Sequence, residues 1–127
     1  MPRDRKGAVG RSAEEAAARH LWWQGYRILE RNYRTRAGEV DIIAQRGDTV
    51  AFVEVRSKKE GSEVAPKDTV TRSKERRIDA VASAYLKARR RTDVSIRYDI
   101  AEVWTDERGR PTRVEFLEGA FGDPAYR

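Results

Sequence analysis

Two carboxylates stand where apolar strands would be expected to carry core residues. In GEVDIIAQRGDTVAFVEVR, residues 38–56, Asp41 sits among Val40, Ile42 and Ile43, and Glu54 sits between Val53 and Val55. Burying an unpaired carboxylate is costly. The two apolar runs flank Gly47 and Asp48, which read as a two-residue hairpin loop with glycine at its first central position. With that pair at the tip, Arg46 faces Thr49, Ala44 faces Ala51 and Asp41 faces Glu54. Directly opposed hairpin residues have Cβ atoms about 4.5–5.5 Å apart. Two ionised carboxylates that close repel in a low dielectric. They can share a proton, or they can hold a cation between them. Mg²⁺ is a hard ion that takes one or two carboxylates plus water and phosphate oxygens. Asp41 and Glu54 supply that set, for Mg²⁺ or Mn²⁺.

Other residues could complete such a site. Glu14 precedes Ala17 and Ala18 by three and four residues, so it lies on the stripe that its helix buries. It could add an oxygen ligand or orient a water. Side chains two apart on a strand share a face, so Arg56 projects beside Glu54, and Lys58 follows if the strand continues. A metal next to a fixed cation can hydrolyse a phosphodiester, the metal activating water and the cation stabilising the transition state. The competing account makes both acids structural, in ion pairs with Arg34, Arg36 or Arg56. Glu39 shares a face with Asp41 and reads as a strand-edge charge.

The elements that must position these groups follow from pattern. Residues 1–11 read as a basic arm. Ser12 and Glu15 match a capping box that opens a helix running to about Gln24, with Gly25 as its stop. Ala17, Ala18, Leu21 and Trp22 form its apolar stripe, and Arg19 is placed to pair with Glu15. Trp23 lies off the stripe, which leaves a homodimer contact open, and both tryptophans read as core and interface residues. Strands are predicted at about 26–33, 39–45 and 49–56, followed by a polar loop over 57–71. A second helix begins near 71–74, with Ile78, Val81, Ala82, Tyr85 and Leu86 as its apolar face. The cations at its start, Arg72, Lys74, Arg76 and Arg77, oppose the helix dipole and so invite a functional reason. A fourth strand runs through 94–104, an edge strand covers 112–117, and an irregular tail follows. The crossover from strand three through the second helix to strand four should be parallel. The result is one α/β domain over 12–118, with an αβββαβ core and a mixed sheet flanked by helices.

Composition bounds the function classes. The chain has 127 residues, no cysteine and one histidine. That excludes disulfides and thiolate metal sites, and it disfavours a histidine-based triad. Absent cysteine fits a cytoplasmic protein. The N-terminus lacks the apolar core of a secretory signal, and no apolar run approaches the roughly 20 residues of a membrane helix. A net charge of +6 and a pI near 9.9 favour a polyanionic partner, most simply nucleic acid. Arg34, Arg36, Lys58, Arg72, Lys74, Arg76 and Arg77 are the candidate phosphate contacts.

The run from Asp41 to Glu54-Val55-Arg56 resembles the PD-(D/E)XK nuclease signature. Residues 10–56, the TRSKERR helix start and RYDIAEV are together similar to the small bacterial YraN-like family, a resemblance spanning about Gly10 to Val103. It implies a restriction-endonuclease-like fold related to Holliday junction resolvases, and a metal-dependent endonuclease acting on DNA, branched DNA included. Glu14, Asp41 and Glu54 match the acidic positions of the pattern. One position departs from it: the pattern carries lysine where this chain has Arg56. Arginine keeps its charge and cannot accept a proton. Lys58 or Lys74 could supply an amine instead. The alternatives are a nucleic-acid-binding module without turnover, and an interaction protein whose acids are structural. Asp99, within RYDI, is given no chemical role.

Overall fold

The computed structural model describes residues 7–62 and 72–120. The first helix, α1, covers Ala8–Trp23. Three strands follow, β1 at Arg27–Thr35, β2 at Gly38–Arg46 and β3 at Thr49–Lys59. Helix α2 is Arg72–Ala88, and strands β4 and β5 are Ser95–Thr105 and Pro111–Leu117. The strands form one sheet in the order β1-β2-β3-β4-β5. β3 and β4 pair in parallel, and the other three pairings are antiparallel. This is the expected αβββαβ order with an antiparallel edge strand added.

The hairpin register is the predicted one. Arg46 pairs with Thr49 and Ala44 with Ala51, and Gly47 has φ 59°, a value that glycine adopts without a Cβ penalty. The three central strands, β2, β3 and β4, bury both faces. Val50 and Phe52 of β3 pack with Ile78, Val81, Ala82, Tyr85 and Leu86 of α2. Ala51 and Val53 pack with Ala13, Ala17, Ala18 and Leu21 of α1. Strand alternation therefore sorts the core into one layer per helix. Beyond Phe52 the next residues on the α2 side are Glu54 and Arg56, so the apolar layer gives way to charge at the end of the sheet where α2 begins.

Three expectations need correction. The helix α1 starts at Ala8, with Gly7 at its N-cap and no side-chain cap. Ser12 and Glu15 thus lie a turn inside the helix and form no capping box, and Glu15 pairs with Arg31 of β1 at 2.9 Å instead of with Arg19. Strand β3 runs on to Lys59, into the predicted 57–71 loop, because the parallel ladder with β4 continues to Lys59 and Thr105. Trp22 is no core residue. Ala18 already stands at the margin of the buried stripe, and Trp22, one turn further, lies beside Ile28 of β1 with 62% of its surface exposed. The remainder of that loop, residues 63–71, the first six residues and the tail from 121 lie outside the described residues.

Candidate functional site

The hairpin brings Asp41 and Glu54 to the mouth of one pocket of about 250 Å³, lined also by Gly38, Glu39, Val40, Lys74, Arg77 and Ile78. The β2–β3 ladder pairs Ile42 with Val53. At the next position the side chain of Asp41 takes over from the backbone: its Oδ2 accepts a hydrogen bond from the Val55 N–H at 2.7 Å. A carboxylate that accepts a main-chain N–H is fixed in place by the sheet itself.

Glu54 is held from two sides. Arg56 Nε donates to Glu54 Oε2 at 2.9 Å, and Lys74 Nζ stands 2.6 Å from Oε1. Lys74 reaches the site because it lies four residues before Ile78, on the same inward face of α2 but one turn earlier, past the end of the apolar layer. Of the cations at the start of α2, which oppose the helix dipole, Lys74 is therefore matched by Glu54. Of that group, Lys74 and Arg77 line the pocket, Arg76 is exposed, and Arg72 is the first residue of the helix.

Glu14 is buried at 2% exposure, as its place on the helical stripe predicted. It packs from the α1 side and is absent from the pocket lining. Its Oε1 accepts a 2.8 Å hydrogen bond from Asn32 Nδ2, and Arg31 lies 3.6 Å away. Among the described residues no group of three or more acidic or histidine side chains is close enough to hold a metal. The structure thus assembles Asp41 with Glu54, and leaves Glu14 outside that pair.

Other predicted contacts are distributed differently. Arg34 donates to Glu39, so it neutralises the strand-edge acid and neither Asp41 nor Glu54. Arg36 is exposed at the β1–β2 turn. Lys58 lies 3.4 Å from Glu102 Oε1.

Two residues at this end of the sheet escaped the sequence reading. Asn32 has φ 53°, a left-handed conformation that asparagine tolerates better than most residues. The available signal was an asparagine, a poor strand former, in the middle of a strand. Glu102 is buried at 8% exposure. It pairs with Arg56 in the parallel ladder, which puts it on the Glu54 face. Its signal was a second acid three residues after Asp99 in an apolar run.

Asp99 now has a role, and it is structural. It is fully buried, and its carboxylate accepts Arg97 Nε at 2.9 and 3.0 Å. It also accepts the Gly119 N–H at 2.7 Å. Asp99→Ala would leave that N–H without its acceptor and the guanidinium with only Tyr26 and Glu118. It is expected to cost about 2–3 kcal/mol, read by urea unfolding, and to leave the pocket intact.

Chemically, two oxygen-donor carboxylates with cations at their flanks can hold a hard divalent ion and an anionic group together. The donor set fits such an ion: Mg²⁺ needs only one or two carboxylates when water and phosphate oxygens complete its shell. No helix of the described residues is long and apolar enough to cross a membrane.

Comparison with known proteins is consistent along nearly the whole chain. The model of an uncharacterised protein family, UPF0102, matches residues 13–103. A UPF0102 protein of Moorella thermoacetica is 41% identical over 121 residues, covering 95% of this chain and 98% of that protein. One from Trichlorobacter lovleyi is 41% identical over 129 residues, covering 99% of this chain and all of that protein. A third, from Anaeromyxobacter dehalogenans, is 42% identical over 118 residues, with 93% of this chain and 87% of that protein covered.

Proposed function

The chain belongs to the uncharacterised protein family UPF0102, so its function has to be read from the site, and we propose that it is a divalent-metal-dependent nuclease that hydrolyses DNA phosphodiester bonds, those of branched DNA included. The observation that carries the reading is the juxtaposition of Asp41 and Glu54 with Lys74 and Arg77 in one pocket at the end of the sheet. The basic balance of the chain, +6, supports a polyanionic substrate.

Asp41 and Glu54 would hold the ion. When bound, it supplies Lewis-acid activation of water and neutralises charge developing on the phosphoryl oxygens. The protein's own residues do the rest. The Val55 N–H keeps Asp41 oriented, and Arg56 keeps Glu54 oriented. Arg77, with Arg34, Arg36, Lys58, Arg72 and Arg76 as further cations near the same end, would hold the backbone phosphates. Water that adds to phosphorus gives up a proton to solvent, and as the P–O bond breaks the leaving oxygen takes one. Lys74 can give one from its ammonium, whereas Arg56 keeps its proton at any accessible pH.

A second reading, binding without turnover, is favoured by one observation: both oxygens of Glu54 already face cations, at 2.9 Å from Arg56 and 2.6 Å from Lys74. One experiment separates the two. Calorimetric titration with Mg²⁺ and Mn²⁺ is run on the wild type and on Glu54→Gln, beside cleavage assays on linear, single-stranded and four-way-junction DNA. The nuclease reading expects metal binding that needs Glu54, and metal-dependent strand scission. Metal binding with no scission of any form would establish the second reading. No Glu54-dependent binding would remove the first.

A further inference from the structure

The end of α1 carries two large aromatic rings that the fold does not use. Trp22 is 62% exposed and Trp23 74%, and their rings meet edge to face with centroids 5.2 Å apart. Burying a tryptophan is among the larger hydrophobic gains open to a chain. Leaving two adjacent ones in water gives that up.

Each ring borders a shallow groove with cations in its wall. Trp22 lines a groove of about 300 Å³ with Glu15, Ala18, Arg19, Ile28 and Arg31. Trp23 lines one of about 280 Å³ with Ala16, Arg19, His20, Thr112, Arg113 and others. Arg19 lines both grooves, and among the described residues it makes no ion pair. The one acid in these walls, Glu15, is taken by Arg31 at 2.9 Å. Arg113 lies 3.3 Å from Glu60.

We infer that Trp22 and Trp23, with Arg19 lining the grooves beside both, form a stacking platform for unpaired bases of a single-stranded nucleic acid segment. Aromatic faces beside backbone-neutralising arginines are what sequence-tolerant single-strand recognition requires. Charge argues against a second copy of this chain as the occupant. A two-fold contact through this patch would bring each Arg19 towards the arginines of its mate, whereas an anionic strand is attracted. The inference rests on the nucleic-acid reading of the pocket and sharpens it, because it asks for a substrate with bases out of the stack.

The test is tryptophan fluorescence during titration with a single-stranded oligothymidylate of about 16 nucleotides in EDTA, where no cleavage interferes. The third tryptophan, Trp104, is buried under Arg113, and its share of the signal is what remains in the double alanine variant. Quenching is expected. In the variants, which lack the reporting rings, affinity is read by the anisotropy of an end-labelled oligonucleotide. Trp22→Ala/Trp23→Ala should weaken single-strand binding by at least about tenfold and duplex binding by less than about threefold, while Trp22→Phe/Trp23→Phe keeps most of the affinity. Unchanged single-strand affinity in the double alanine variant would overturn the inference. So would a loss of self-association in sedimentation with single-strand affinity unchanged, which would assign the rings to a contact between copies. Cleavage of DNA by the same variants is read separately, so failure of the platform and failure of the nuclease reading are told apart.

Discussion

Asp41→Asn is expected to abolish tight divalent-metal binding and to lower metal-dependent DNA cleavage by about 10²–10³-fold, with the fold intact. The substitution keeps the shape of the side chain and an oxygen that can still accept the Val55 N–H, the bond that spans 2.7 Å in the native protein. What it removes is the negative charge. Glu54 alone then offers the ion one carboxylate in place of two, and it shares that charge with Arg56 and Lys74. Calorimetry with Mn²⁺ and a thermal melt on the same sample check the two halves of this expectation. A variant that folds as the wild type and cleaves at the wild-type rate would remove Asp41 from the chemistry.

The second large effect concerns which cation assists the reaction. Lys74→Met is expected to lower cleavage by about 10²-fold or more while sparing DNA affinity, which other cations share. Arg56→Lys is expected to act in the opposite direction. It keeps the charge next to Glu54 but exchanges a group that never gives up its proton for one that can. If Lys74 already supplies proton transfer from α2, the gain from Arg56→Lys will be largest in the Lys74→Met background. Single-turnover cleavage rates across this double-mutant cycle measure the coupling directly. Strict additivity would show that the two cations act independently, and would sink the idea that the helix amine stands in for the strand one.

Much of this site was legible in the chain because its geometry is local. A two-residue loop with glycine at its first position leaves little choice of register. Counting from Gly47 and Asp48 therefore places Asp41 next in line to Glu54, as the pairing of Ile42 with Val53 confirms. Strand alternation adds Arg56, and helical spacing adds the buried position of Glu14. The charged start of α2 was visible as a conflict with the helix dipole. Where local rules misled, a longer-range packing surface had won. The Ser12 box gave way to a helix that begins a turn earlier. Trp22 fitted the stripe by spacing yet stays mostly in water, beside the edge strand β1.

The sequence alone determined the order of elements, the single hairpin that sets the two acids side by side, and the charge of the chain, because each depends on neighbours a few residues apart. Tertiary structure alone decided which acids share a pocket. It put Glu14 on Asn32, on the α1 side, while Asp41 and Glu54 open towards α2. It brought Lys74, 20 positions along the chain from Glu54, within 2.6 Å of it, and it buried Glu102 beside Lys58 on the same face. It also left Trp22 and Trp23 in water. These outcomes turn on which face of a sheet each helix covers and where it runs past the end. That is set by two core layers meeting on opposite sides of β3, a competition among distant apolar residues that no local spacing records.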